Sequence, residues 1–454
     1  MLDLGTHMGG RPMKMESGPD LPAERQFSDV MCTGCGCLCD DLKLRIHAGK
    51  LDVSGVPCAL GQGTFATGQE DIERVRQAPD ARVAGQPVAV AEVLKLAAKR
   101  LNRARSPLIV GPTESSMEAQ RAAVALADLI RAGIDTGTAS NRWLARQRAG
   151  WVGATWGEIK QRADLIVFWD VDPGPVGPHP RFAERFLDPP GRFVPHGREG
   201  RTVFHIACWS DRESAIVIPP TGALAVLSGL RTLVRGGQVE AGAIEKATGQ
   251  PIQVWTELVE KLKSAQYGVL VVGPMFDRHA SLAECEGLER LIAELNVFGQ
   301  GRFIGCSIGQ GGNKAGLEAV LGWQAGAPGA VDFRAGFPRY LPREAEAGRR
   351  LAAGQVDVVV TIGPEKNVPF DIDHPDRPFW ISIGHDATYH DATAPAPDLA
   401  LATAHPWIEA GGTVMRGDGV TLPLTPLLEP TRPTDAQILD QLRRLILEQG
   451  ASVP

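Results

Sequence analysis

Five of the eight cysteines fall between residues 32 and 58, in the run Cys32-Thr33-Gly34-Cys35-Gly36-Cys37-Leu38-Cys39-Asp40-Asp41 and then at Pro57-Cys58. Thiolates are soft ligands that hold zinc and iron–sulfur clusters. Clustered in a chain without an export signal, they point to a metal before disulfides. Cys32, Cys35, Cys39 and Cys58 give the spacing C-x2-C-x3-C-x18-C. Three thiolates in one tight loop and a fourth at a distance suit a 4Fe–4S cluster, in which each iron takes one cysteine. Cys37 is left over, either spare or in place of a neighbour. One alternative is a four-thiolate zinc site, although zinc ligands usually come as two close pairs. The other is that these cysteines bind nothing.

Other chemistry-bearing residues are scattered. Gly309-Gln310-Gly311-Gly312-Asn313 could cradle a phosphate with backbone amides, or be a flexible loop; the dinucleotide fingerprint G-x-G-x-x-G is missing from it. His179-Pro180-Arg181 follows a strand in a Pro/Gly loop, where it could bind an anion or simply form a surface turn. His374, His385 and His390 lie among Asp371, Asp373, Asp376, Asp386 and Asp391. Their spacing matches no zinc motif, and aspartates collect in loops as turn formers. Arg334, Arg339, Arg343, Arg349 and Arg350 read first as a solvated helix face.

The elements that must position these residues alternate regularly. Leu42–Ile46 and Lys50–Val53 read as a hairpin across His47-Ala48-Gly49. Val90–Arg103 reads as an amphipathic helix, Pro107–Gly111 as a buried strand, and 115–132 as a helix capped by Ser115 or Ser116. Buried strands follow at 163–170, 202–207 and 215–218, then a helix at 252–264, a strand at 268–273 and a helix at 280–296. Strands at 356–362 and 380–383 and an amphipathic helix at 434–448 complete the series. This repetition predicts an α/β fold with parallel sheets and crossover helices. Ligands then sit beyond the carboxyl ends of the strands, at the loops 111–116, 170–181, 273–278, 305–316 and 363–370. The expected division is a disordered tail over 1–26, a small cysteine-rich β module over 27–88, α/β domains over 89–250 and 251–400, and a C-terminal segment over 401–454 ending in a helix.

Composition bounds the function. The 454 residues suggest two large domains or three smaller ones. Lys and Arg number 47 against 53 Asp and Glu, a net charge of −6, which excludes a broad nucleic-acid-binding surface. With 52 glycines and 34 prolines the chain should be rich in loops. No apolar run nears the ~20 residues of a membrane-spanning helix, and the N-terminus has no apolar core of a signal peptide. The expectation is a cytoplasmic protein with neither nucleic-acid nor membrane partners.

The Cys-x2-Cys-Gly-Cys-Leu-Cys-Asp-Asp run resembles the B-type chain of formylmethanofuran dehydrogenase, of the molybdopterin oxidoreductase superfamily. The resemblance continues through Gly111-Pro112-Thr113-Glu114, Thr138-Ala139-Ser140, Asp172-Pro173 with His179-Pro180-Arg181, Gly312-Asn313, Trp323-Gln324-Ala325-Gly326 and Gly336-Phe337-Pro338-Arg339-Tyr340. It spans roughly residues 28–400. It implies a molybdopterin-oxidoreductase-like body, in which the chain embraces paired pterin dithiolenes carrying molybdenum or tungsten. It also implies that Gly311, Gly312 and Asn313 lie near the pterin. In that family a cysteine or selenocysteine after Thr-Ala-Ser ligates the metal, and a histidine follows it. Here Arg142 holds the cysteine position (Asn141, if the register slips by one) and Trp143 the histidine position. None of the three supplies a thiolate. Asn141, Arg142 and Trp143 therefore read as a degenerate site with no catalytic residue, and molybdopterin with its molybdenum or tungsten is expected to be absent.

A second group shares the pattern: the B-type chain of the bacterial formyltransferase/hydrolase complex. There an A-type zinc amidohydrolase releases formate. A D-type chain, with a C-type companion, moves the formyl group between tetrahydromethanopterin and a methanofuran-like carrier. The implied role is a redox-silent scaffold of an enzyme complex, itself non-catalytic, with the A-, C- and D-type subunits and the carrier as partners. His179 and Arg181, and less directly the arginines of 334–350, are then candidates for the carrier's carboxylates. The superfamily's terminal β-barrel domain is not expected, since it is a separate polypeptide in such complexes. The alternative is the B-type chain of an active formylmethanofuran dehydrogenase with molybdenum or tungsten pterin, for which the retained cysteines speak. A binding protein that kept only the fold is a third reading.

Overall fold

The computed structural model describes residues 24–450 apart from 138–140, 175–176, 211, 310, 364–370, 372–373, 375 and 390–395, and apart from the Asp277 side chain. Thr138-Ala139-Ser140, Asp373, His390, Asp391, most of the expected tail and the rim loop beyond Gly363 lie outside the described residues.

Runs of apolar residues with no polar face must be covered on both sides, and they form the centres of two parallel sheets. Leu165–Trp169 and Tyr267–Val272 are buried along their whole length. They pair in parallel with Thr202–Ala207 on one side and Arg302–Ser307 on the other, and Ala215–Val217 closes one edge. Alternate side chains enter different cores. Leu165, Val167, Trp169, Leu270 and Val272 pack against the helices Ala223–Val234, Ile252–Ser264 and Leu282–Phe298. Ile166, Phe168, Val269, Val271 and Ile304 face the cysteine-bearing segment and Trp156.

The second sheet has nine strands. Its parallel centre runs Gly133–Asp135, Pro107–Val110, Val358–Ile362, Phe379–Gly384, Leu399–Ala402. Short antiparallel strands close both edges. The helices Val90–Asn102, Met117–Leu129, Lys314–Ala325 and Asp435–Glu448 bury one face of it. The sheets therefore do not follow the expected division at residue 250. Leu108 pairs with Val359, while the other sheet is built wholly from residues 165–307 and is inserted into the first. Strand periodicity marks each strand but carries no information on its partner, which is why the sheets and the expected division differ.

The N-terminal β module forms as expected and lacks a core of its own. Leu42–His47 and Lys50–Asp52 pair through Ala48 and Gly49, both with positive φ, the backbone of a two-residue hairpin turn. Leu42, Leu44 and Ile46 point inward and join the core around Ile166 and Phe168. A strand over Glu24–Val30 adds to the hairpin, so ordered structure begins inside the segment expected to be a tail. The helix Ala59–Val75 is not foreshadowed by the sequence pattern. Its buried stripe, Gly61, Phe65, Gly68, Ile72 and Val75, has helical spacing, but two of the five positions are glycine and carry no hydrophobic signal. At Gly68 a Cβ would stand 2.5 Å from Ile408 Cδ1, so any larger residue there would make that side chain shift.

The C-terminal helix Asp435–Glu448 starts at a capping box formed by Thr434 and Gln437. Before it lies the hairpin Gly412–Met415 with Thr421–Leu424. Among the described residues, no helix is long and apolar enough to cross a membrane.

His205 lies buried on Phe168, with ring centroids 5.3 Å apart and planes 17° from parallel. Burial, helped by the Arg212 charge, pushes its pKa down to about 4. An unfolded histidine takes its proton near pH ~6.5, so the unfolded chain binds a proton that the folded one refuses. This contribution to stability is full above about pH 6.5 and is lost as pH falls toward 4. The melting temperature should decline over that interval, and His205→Gln should show a shallower decline. An equal slope in the variant would refute the assignment.

Candidate metal centre

The cysteine run folds into a tight knuckle. Cys32 N donates to Cys39 O at 2.8 Å and Leu38 N to Cys35 O at 3.2 Å. The knuckle lies backbone to backbone on the 309–312 loop. Gly312 N donates to Thr33 O, and a Cβ on Gly36 would stand 2.2 Å from Gly309 O. Cys58 caps the helix Ala59–Val75, its Sγ accepting from Gly61 N at 3.3 Å, and Cys32 Sγ accepts from Gly34 N at 3.4 Å.

Cys32, Cys35, Cys39 and Cys58 line one pocket with Pro180 and Arg181. The set foreseen from spacing is thus brought together. Burial pushes the Cys32 thiol up to about 12 and the Cys39 thiol up to about 11. Arg185 and Arg181 act against that rise at Cys39. Four thiolate donors around one pocket, amide N–H groups on two sulfurs and two nearby guanidinium charges fit a thiolate-held iron–sulfur cluster. Such a group would supply electron transfer or a structural link between the knuckle and residue 58.

The aspartates that end the run hold the knuckle in place. Arg181 donates to both carboxylate oxygens of Asp41, at 2.7 and 2.9 Å, and to Glu184. Arg185 bonds Asp40 and lies 3.6 Å from Asp41. Both arginines flank or belong to the short helix Phe182–Phe186, which Trp156 anchors through edge-to-face contacts of 5.3 Å with Phe182 and with Phe186. The sequence places Arg181 on a carrier-binding rim. It is instead committed to Asp41 and the cysteine pocket. Asp40 and Asp41 stand in the quoted run, but nothing in the spacing links them to residues 140 positions later.

His179 is also drawn inward. Its side chain is buried, and its ring nitrogens have no partner other than the Cys35 thiol it lies against. The donor atoms of Cys35, Cys37 and His179 all lie within 4.8 Å of one another. The Cys37 thiol, with the imidazole beside it, holds Cys35 low despite burial, and Cys37 is pushed up in turn.

The glycine loop plays a structural part. Asn313 is fully buried; its Nδ2 donates to Ser115 O at 2.9 Å and its Oδ1 accepts from Met415 N at 2.8 Å. Gly311 and Gly312 adopt positive φ, and a Cβ on Gly312 would meet Glu114. The Asn313 amide, expected near a cofactor, thus knits three chain segments together. In the arginine-rich segment Arg334, Arg339, Arg343 and Arg349 are exposed, as expected of a solvated face, with Arg334 and Arg339 also paired with the buried Asp332; Arg350 departs from the expectation and is wholly buried.

Asn141, Arg142 and Trp143 open the helix Asn141–Ala149. Arg142 is buried, with Nε 3.7 Å from Glu289 Oε1, and Arg146 Nε lies 3.3 Å from the same oxygen. The Arg146 guanidinium also stands 5.0 Å from the Trp143 ring, and Asn141 Nδ2 donates to Ala280 O at 3.1 Å. Glu289, on the helix Leu282–Phe298, is the counter-ion that sequence inspection missed. These residues do not fit a thiolate-held molybdenum or tungsten atom.

No family profile matches the chain. The B-type chain of the tungsten-containing formylmethanofuran dehydrogenase 2 of Methanocaldococcus jannaschii is 28% identical over 446 residues, 92% of this chain and 98% of that protein. Its counterpart from Methanococcus maripaludis is 26% identical over 442 residues, 93% of this chain and 99% of that protein. The chain is thus similar to B-type formylmethanofuran dehydrogenase chains over nearly its whole length. Its fold is also that of a chain in the crystal structure of the formyltransferase/hydrolase complex (FhcABCD) from Methylorubrum extorquens with methylofuran. That match has a TM-score of 0.66 at 22% identity and covers 82% of this chain and all of the other. The α/β body with parallel sheets expected of such a relative is present.

Three substitutions probe this architecture. Glu289→Leu leaves two buried guanidinium groups facing an apolar side chain and should cost about 3–5 kcal/mol in denaturant unfolding. Gly36→Ala drives a methyl group into Gly309 and should cost about 1–3 kcal/mol while increasing thiol reactivity of the knuckle. Gly63→Ala, with nothing within 4 Å of its Cβ, should instead gain about 0.8–1 kcal/mol in the same helix that Cys58 caps.

Proposed function

We propose that the chain is a redox-silent scaffold within a formyltransferase/hydrolase complex. The complex would convert the formyl group on a methanofuran-like carrier to formate in tetrahydromethanopterin-linked C1 metabolism. Its partners would be the A-type amidohydrolase and the C- and D-type formyltransferase subunits. The observation that carries this reading is Arg142, buried against Glu289 where the resemblance places a metal-ligating cysteine. A guanidinium remains protonated and offers only donors, so it cannot replace a thiolate on a metal. Hydrolysis of a formamide moves no electrons, and a scaffold serving it needs no pterin metal. What this chain's residues supply is a rigid body, with the knuckle clamped by Arg181 and Arg185.

The second reading, the B-type chain of an active formylmethanofuran dehydrogenase, is favoured by the four cysteines around one pocket and by the tungsten-containing relatives. Elemental analysis of the complex purified through this chain separates the two. Molybdenum and tungsten should each be far below one atom per chain, with an amidohydrolase co-purifying. Either metal in stoichiometric amount would overturn the scaffold reading.

A further inference from the structure

Cys37 and His179 take no part in the four-cysteine pocket, and nothing in the scaffold reading uses them. Both are deeply buried, with Cys37 at 0% and His179 at 1% exposure. A buried imidazole normally spends at least one nitrogen on a hydrogen bond, because an unsatisfied polar atom is costly. Here neither nitrogen meets any group but the thiols beside the ring, Cys35 and Cys37, a setting in which the imidazole faces only soft sulfur donors. We propose that Cys35, Cys37 and His179 form a binding site for one zinc-class divalent cation, a ligand set that overlaps the four-cysteine pocket only at Cys35.

The geometry and charge agree. Zinc takes sulfur at about 2.3 Å and imidazole nitrogen at about 2.0–2.1 Å in a tetrahedron, which puts neighbouring donors about 3.5–3.8 Å apart. The three donors already lie within 4.8 Å of one another, so closing on an ion needs rotamer adjustments rather than backbone movement. Two thiolates and a neutral imidazole around a doubly charged cation sum to zero, the one charge state of these groups that suits so buried a place. Any proton still on Cys35 or Cys37 leaves to solvent as the ion enters, so binding releases protons and weakens as pH falls. The fourth tetrahedral corner falls to a water or hydroxide. Cys35 also lines the neighbouring pocket, so an ion bound here withdraws one of that pocket's four thiolates. The ion would join the knuckle of the N-terminal module to the loop before the helix Phe182–Phe186, and so pin the module to the five-stranded sheet. The site is independent of the scaffold reading and stands whether or not that reading holds.

Cobalt(II) provides the test. The full chain, in the complex in which it is purified, is stripped with a chelator under anaerobic reducing conditions and titrated with Co2+. The wild-type complex should take one equivalent more than the Cys37→Ser complex, and that equivalent alone should bring a thiolate-to-cobalt charge-transfer band and tetrahedral d–d bands and raise the melting temperature. Cys37→Ser and His179→Ala should weaken binding by more than about 100-fold, the upper end of what loss of an outer partner costs. Cys58→Ser keeps the helix cap and should leave the spectrum unchanged. His179→Cys should bind with a charge-transfer band about 1.5-fold stronger, since three thiolates replace two; a misfolded variant could not give that gain. Failure of the wild-type chain to bind Co2+ would overturn the proposal. So would equal loss in Cys58→Ser and Cys37→Ser, or a His179→Cys variant with native circular dichroism that binds nothing.

Discussion

The knuckle Cys32–Cys39 cannot hold its shape by itself. It carries two glycines, a left-handed Leu38 and four thiols, and it buries no apolar core of its own. It is held from outside, by Arg181 and Arg185 gripping Asp41 and Asp40 on one flank and by the 309–312 backbone on another. Each restraint comes from the five-stranded sheet unit or its exit loop. The N-terminal module is therefore an extension of that unit's core, and the disposition of its sulfurs follows from how Phe182 and Phe186, beside Arg181 and Arg185, pack on Trp156.

The same unit carries the altered site. In a relative that holds its metal through a cysteine, the first turn of the helix Asn141–Ala149 would be a ligand-bearing surface. In this chain a guanidinium fills that position and is neutralised by Glu289 from the facing helix. Burying a lone arginine is prohibitive, and burying one with its counter-ion is roughly break-even against apolar packing. The pair thus costs the fold little.

Two thiolate arrangements meet at Cys35. One is the four-cysteine pocket, ringed by donors and attended by two arginines. The other is the tighter group with Cys37 and His179. They share a ligand, so the knuckle can commit fully to only one, and the choice determines whether residue 58 or residue 179 is tied to it.

Local signals in the sequence determined a large part of this protein. Apolar runs marked the central strands at 165–169, 267–272 and 358–362, broken in the last by Thr361 alone, because a strand covered on both faces leaves little room for polar positions. Ser115 or Ser116 marked one helix start, and Ser116 is the cap, since a hydroxyl before an amphipathic run satisfies its free amides. Cysteine spacing alone picked out the four donors of one pocket, and the missing thiol at residue 142 was visible in the letters. Pairing across long separations was not. Which strand neighbours which, that one sheet is inserted into the other, that Arg181 serves Asp41, that Glu289 answers Arg142 and that His179 meets Cys35 were decided only by tertiary structure. Such side-chain contacts join residues 140 or more positions apart, and side-chain periodicity carries information about faces but none about partners.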